Sequence, residues 1–423
     1  MNRYREIVGK VNYGLFLTVV ALLPFEQLLL RYACVMWIIC WVLEGRWLQR
    51  LRPLRENKML IPFLLFGLWY LWQIVSWFWV ADRGAWSWQM ERYMTFGLLI
   101  PVGLWGVNKC YDWRTVGKVL VASCVIAVPF YLTVLTVLYY HPELIGRLPR
   151  SEEWYVNAAN WYSFYEENIS VLKHRLFLCS VELFGAVVAY QLWHKRPAVF
   201  IPILLVMLSS IPLTGSRQSI LTAAGIMAVA LVYELPKMYR LRYGVGILLL
   251  GVVLGFGVLK LHPRMQNFDF TDFTEMREIK PDHNVRLNIW GVALQHPSDY
   301  IGHGLGAGQS TQYMVQKYKE ANMNYYAHMH YHAHNQYLEE VMEIGIPGLL
   351  LFLLAWISIP LCARGQGVYT ALLFTTIFVM NMLTDCMFGK FCGIALWAVG
   401  LILILLQSDP ESEEQTSRDA QAH

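Results

Sequence analysis

The sequence predicts an all-α polytopic membrane protein with about twelve transmembrane helices and one large helical outer loop before the tenth. Three observations carry that prediction. The 423 residues are 56% hydrophobic and only 15% charged, whereas about a quarter of a soluble domain is charged. Apolar runs of about twenty residues recur along the chain, each long enough to cross a bilayer. Lys and Arg fall between these runs rather than in one patch, so the net charge of +4 is no footprint of nucleic acid.

The first two apolar runs, 11–25 and 28–43, are short and separated by Pro24-Phe25-Glu26, which predicts a tight hairpin. Further runs lie near 60–80, 88–107, 116–139, 172–193, 198–213, 218–233, 244–261, 334–361, 368–387 and 391–406. Seventeen Trp and 24 Tyr suit a chain with long membrane–water boundaries, where amphipathic rings collect. None of the eight cysteines lies in a long polar loop and there is no CxxC, so neither a disulfide framework nor a thiolate zinc site is expected. The first apolar run lacks a small-residue cleavage site and is expected to stay attached.

Basic residues set the orientation. Arg3, Arg5 and Lys10 precede the first run, and Arg46, Arg50, Arg52, Arg55 and Lys58 follow the second. Lys109, Arg114 and Lys118, then Lys195 and Arg196, then Lys237, Arg240 and Arg242 follow the fourth, sixth and eighth. Simple alternation puts all of them on one side, cytoplasmic by the positive-inside rule, with both termini there. The expected organisation is nine helices over 1–261, an outer loop over 262–333, three helices over 334–406 and a disordered acidic tail over 407–423.

Two long connections then face outward. The first, 140–171, is rich in Trp, Tyr and Glu, a composition that suits stacking on sugar rings and equally an amphipathic segment lying on the membrane. The second carries a helical pattern over Val285–Gln295, with Asp282 or Asn284 as cap and Pro297 as stop. A glycine run, 302–308, follows no strand, which predicts a flexible turn rather than a phosphate cradle. A second short helix is expected over 311–320.

Beyond them, 328–348 turns from alternating histidines into a helix pattern at the mouth of a membrane span. His334 stands at that helix start, where the dipole disfavours imidazolium and keeps a candidate general base neutral. His328, His330, His332 and His334 would share one face of an extended strand, yet no Cys or well-spaced carboxylate completes a metal set, so no metal is expected. Arg217, in Gly215-Ser216-Arg217, is either a snorkelling arginine or a planar clamp for a phosphate, with Gly215 and Ser216 adding backbone donors. Arg286 is either a solvated surface arginine or a second cation for the same anion. His174 and Arg175 stand at the outer entry to the sixth helix, Glu182 lies two turns deeper, and Glu91, Arg92 and Asp385 are polar residues near membrane level.

In order, the residues are Gly-Ser-Arg at 215–217, Arg286 in Val-Arg-Leu-Asn-Ile-Trp, Gly-His-Gly-Leu-Gly at 302–306, His334-Asn335-x-Tyr-Leu-Glu, and Glu343-x-Gly345-x-Pro-Gly348. This pattern resembles the O-antigen ligase and polymerase superfamily of bacterial envelope glycosyltransferases. The resemblance implies an inner-membrane enzyme with a periplasmic active site. It would take a glycan from undecaprenyl pyrophosphate, with inversion and without metal or nucleotide cofactor. Carried onto this chain, Arg217 and Arg286 would bind the donor pyrophosphate and His334 would deprotonate the acceptor hydroxyl. His332, Asn335, Ser216, His174 and Arg175 would support them. The expected activity is O-antigen ligase, with lipid A–core oligosaccharide as acceptor in lipopolysaccharide biosynthesis. A polymerase acting on a lipid-linked repeat unit is the close alternative, and attachment to a protein hydroxyl a further one. A lipid-linked glycan flippase is the alternative of another class. It would need polar residues through the middle of several helices, whereas here they gather at the outer rim.

Overall fold

The computed structural model describes residues 2–25, 27–45, 57–107, 110–148, 151–156, 158–236 and 285–409, with isolated positions between 239 and 257. Among the described residues every regular element is helical. In order these are α1 (Asn2–Leu22), α2 (Gln27–Glu44), α3 (Leu60–Val75), α4 (Arg83–Trp105), α5 (Trp113–Tyr140), α6 (Trp161–Leu172), α7 (Arg175–Trp193), α8 (Pro197–Thr214) and α9 (Arg217–Glu234). After the segment containing the expected ninth span come α10 (Val285–Ala293), α11 (Ser310–Glu320), α12 (Asn324–His328), α13 (Gln336–Cys362), α14 (Gly367–Met382) and α15 (Phe391–Gln407).

Eleven of the twelve expected spans coincide with described helices, and 244–261 lies largely outside the described residues, as do Asp282, Asn284 and 410–423. Six are both long and apolar enough to cross a membrane: α2, α3 with its short extension to Phe78, α5, α7, α8 and α13. Helices α14 and α15 are apolar but shorter, with 16 and 17 residues, while α1, α4 and α9 are diluted by polar residues. The first helix is not short: it begins at Asn2 and takes Arg3, Arg5 and Lys10 into its opening turns.

Local sequence explains where the helices begin. Asp82 accepts from Gly84 N and Ala85 N, Asp112 from Arg114 N and Thr115 N, and Asn160 from Ser163 N. Each side chain satisfies donors that a helix start leaves orphaned, worth about 1 kcal/mol per cap. Helix α15 is apolar all round and buried from Cys392 to Gln407, the behaviour of a helix with neighbours on every side. Around it stand α4, α14, α5 and α2, and α13 packs on α3 and α14. The buried Lys173 amino group donates to Leu23 O and Phe25 O at 2.9 and 2.8 Å, closing the α1–α2 hairpin from the far side of the molecule.

The first outer connection is not an open loop. Its second half is α6, which buries Phe164, Tyr165, Glu166 and Ile169 against α5 and α8. Those aromatic rings are therefore core, and the exposed Tyr155 and Tyr162 remain on the surface.

The second connection has its own small core, in which Ile289, Val292, Ala293, Met314 and Tyr318 pack with Met342 from α13. Its glycine run is a clamp rather than a flexible turn. Helix α13 breaks at Gly345, whose φ of 67° and ψ of −173° are non-helical, and Pro347 offers no N–H to the Glu343 carbonyl. Gly306 N supplies that hydrogen bond at 2.8 Å, Leu305 N serves Met342 O at 2.8 Å, and Ile346 N turns to Ile301 O at 3.0 Å. The break thus keeps its buried carbonyls paired through the loop. Gly304 has a φ of +81°, and a Cβ there would strike the Glu343 carbonyl, whereas nothing lies near a Cβ on Gly302. Gly304→Ala is expected to lower the thermal midpoint in detergent by several degrees, since the left-handed backbone alone costs about 1–2 kcal/mol. Gly302→Ala, measured alongside, should leave it unchanged.

Candidate functional site

Five pieces of chain meet where the small outer core sits on α13: the turn before α13, the start of α7, the 383–390 turn, α10 and the middle of α4. Trp290 Nε1 donates to Ala333 O at 2.9 Å, which ties α10 to the histidine turn. Asn335 caps α13 by accepting from Leu338 N at 3.1 Å, and its amide nitrogen donates to Leu383 O at 3.1 Å. Phe388 N donates to Gln336 Oε1 at 3.0 Å. The 383–390 turn is therefore bolted to the first turn of α13. Asn335 serves here as a scaffold residue.

His334 has a left-handed φ of 46° and His330 one of 50°, so the alternating histidines do not form a strand. The expectation that all four point one way is overturned by those two turns. His328 and His330 are exposed, while the rings of His332 and His334 lie against each other, tilted by 37° with centroids 4.0 Å apart. The His334 amide donates to His332 Nδ1 at 3.2 Å, which fixes the tight turn.

The cluster joins unlike charges. His174 Nε2 lies 3.8 Å from Asp385 Oδ2. Arg286 is close enough to Asp385, Arg175, His174 and His334 for their charges to act on one another. Burial and the like charge of Arg175 pull the Arg286 guanidinium below its usual range, against the attraction of Asp385. His334 drops to about 4, through burial first and then the cationic pull of His332 and Arg286. Burial, rather than the helix dipole, is thus the leading cause of its neutrality. His174 also falls to about 4, from burial and from Lys390, Arg175 and Arg286. For His332 burial works downward, but the Glu339 carboxylate 3.5 Å away, with Asp385, outweighs it and raises the ring. Asp385 sits low because three histidines surround it, despite its burial. The result is a nearly neutral imidazole beside guanidinium groups, with a carboxylate between them.

Arg217 is placed less directly. It is exposed at the start of α9, and that helix is tied to the end of α14 by Gln218 donating to Met380 O and Thr222 to Asn381. Asn381 in turn donates to Ser180 on α7, so α9 starts from the same scaffold that carries Asp385. The expected backbone donor at Gly215 is already used, its N–H going to Pro212 O at 3.3 Å, and Ser216 Oγ pairs with Ser219 Oγ at 2.6 Å.

Sequence reasoning left Asp385, Glu339, Cys386, Arg92 and Lys390 out of the site. Arg92 bonds to Gly389 O and lies over the Trp88 ring at 4.4 Å, in the body of α4 rather than at a helix end. Cys386 Sγ stands 3.1 Å from Glu339 Oε2 and 3.5 Å from His332 Nδ1. The expectation that no cysteine or carboxylate completes a metal set is therefore corrected. His332, Glu339 and Cys386 converge, as do His332, His334 and Asp385. An Asp-Cys pair between two apolar runs was the available signal, and sequence distance hid its partners.

With this geometry in view, residues 202–353 match the family model described as O-antigen ligase. That match supports the O-antigen ligase superfamily. It covers a little over a third of the chain and contains Arg217, Arg286 and His334, while His174, Arg175 and Asp385 lie outside it. Among curated proteins no match is found. An all-helical, multi-pass architecture and a match to this superfamily support glycosyl transfer of the ligase or polymerase type.

Proposed function

We propose that this chain is an O-antigen ligase that transfers a glycan from undecaprenyl pyrophosphate to the lipid A–core oligosaccharide at the periplasmic face of the bacterial inner membrane. The observation that carries the reading is the placement of His334, a half-buried imidazole against His332, within the charge of Arg286 and Asp385, which with burial hold the ring below its ordinary range. A neutral imidazole can take a proton from an acceptor hydroxyl, while fixed cations stabilise charge that grows on a leaving pyrophosphate.

In this reading the acceptor oxygen attacks the anomeric carbon, His334 receives its proton, and the bond to the pyrophosphate oxygen breaks with inversion. Arg286 and Arg217 hold the departing diphosphate, and Arg175 adds positive potential. Asp385 acts as a positioning group between His174 and the His332–His334 pair. Undecaprenyl pyrophosphate arrives already activated, so the reaction needs no ATP and no metal. The connection before α13, the longer of the two, supports ligase over polymerase.

The test is purified full-length protein with a lipid-linked glycan donor and a core-oligosaccharide acceptor, followed by gel mobility of the acceptor. Transfer that persists in EDTA is expected. Loss of transfer in EDTA, restored by added metal, would overturn the metal-free mechanism. In cells, deletion should leave full-length glycan on undecaprenyl pyrophosphate, and core carrying single repeat units would instead identify a polymerase.

A further inference from the structure

Beside the proposed base lies a second constellation, of which glycosyl transfer uses only His332, as the support of the His334 turn. His332 Nδ1, Glu339 Oε2 and Cys386 Sγ form a triangle with edges of 3.1, 3.5 and 3.5 Å. In a tetrahedral zinc site, with bonds of about 2.0–2.3 Å, ligand atoms stand about 3.3–3.7 Å apart. The triangle is thus within a few tenths of an ångström of a ready tripod. It is held by rigid parts: Glu339 by α13 and the Ser310 hydroxyl at 3.0 Å, and Cys386 by the turn bolted to Gln336.

We propose that His332, Glu339 and Cys386 form an inhibitory binding site for a zinc-class divalent cation. The donor set of one imidazole, one carboxylate and one thiolate selects zinc or cobalt over magnesium or calcium, which demand oxygen ligands. Two anionic ligands cancel the charge of the ion, so it can sit near Arg92, which also acts on His332. His334 and Asp385 form a separate triad with the same histidine, so water would complete the coordination. Binding releases protons: the Cys386 S–H bond breaks as a metal–sulfur bond forms, the His332 ring gives up any proton it carries so that its nitrogen can bind, and the protons leave to solvent.

Inhibition follows from one hydrogen bond. In the neutral His332 ring the Nδ1 lone pair accepts from the His334 amide at 3.2 Å. A metal needs that lone pair, so coordination breaks the bond that fixes the His334 turn. This half of the inference rests on His334 as the base, whereas the binding half does not.

The experiment uses full-length protein without a histidine tag, in nanodiscs, titrated with cobalt(II) as a spectroscopic stand-in for zinc. A sulfur-to-cobalt charge-transfer band that zinc removes is expected. Cys386→Ser, whose hydroxyl can still donate to Glu339, should lose the band and weaken binding by more than about tenfold. No band at saturating cobalt, or an unchanged band in C386S protein with a native elution profile, would overturn the site. Zinc should stop glycan transfer in the wild type and spare C386S. A band without inhibition would overturn the shut-off while leaving the base assignment standing. If no transfer occurs even without zinc, the proposed function fails, and the cobalt spectrum still decides the site.

Discussion

Replacing His334 with alanine is expected to lower the rate of glycan transfer about 10²–10⁴-fold, the range a positioned general base contributes. The acceptor and donor should still bind, because the loss falls on proton removal rather than on the cations around it. The pH dependence carries the sharper signature. A general base works only when neutral, and the His334 ring is held down to about 4, mainly by burial and by the cations around it. The acid limb of kcat/KM is therefore expected near pH 4, with activity flat from neutral down to about pH 5. A midpoint at the ordinary histidine value of 6.5 would show that another imidazole, or a differently solvated one, takes the proton. Alanine at 334 with an unchanged rate would remove the residue from the chemistry altogether.

Removing the Arg286 guanidinium comes next in size. A preset donor aimed at growing charge is worth about 10²–10³ in rate, so Arg286→Ala should cost that much in kcat/KM. Arg286→Lys should recover part of it, because an ammonium keeps the charge but loses the planar fork. A second readout separates this role from simple damage to the outer core. Arg286 is one of the cations that lower the His334 ring, and without it protonation of His334 becomes easier. The acid limb must then move toward higher pH in R286A and return in R286K. An equal loss of rate with no movement of the limb would mean that Arg286 only braces α10. Arg217, exposed at the head of α9, is expected to affect donor KM more than the pH profile.

Membrane class, the positions of the helices and the resemblance to the O-antigen ligase superfamily were legible because each is written in a local pattern. Runs of apolar residues show spans, and Gly-Ser-Arg, Val-Arg-Leu and His-Asn are short strings that survive without a structure. The glycine run was misread because its purpose depends on a distant segment. Gly304 must lack a Cβ because the Glu343 carbonyl, some forty residues later, packs against it, and Gly306 N pairs that carbonyl, which Pro347 cannot. The aromatic first connection was open to two readings from composition, and burial of Phe164 and Tyr165 against α5 and α8 chose packing for those rings.

By itself the sequence determined that this is a multi-helix membrane protein, because hydropathy is a property of each segment alone. Only the tertiary structure decided that His334 keeps company with Arg286 and Asp385, that His174 meets Asp385, and that Cys386 and Glu339 meet His332. Those meetings arise from helices packed side by side and from turns pinned by single hydrogen bonds. Coulomb and desolvation forces act on distance in space, which the order of residues along a chain does not reveal.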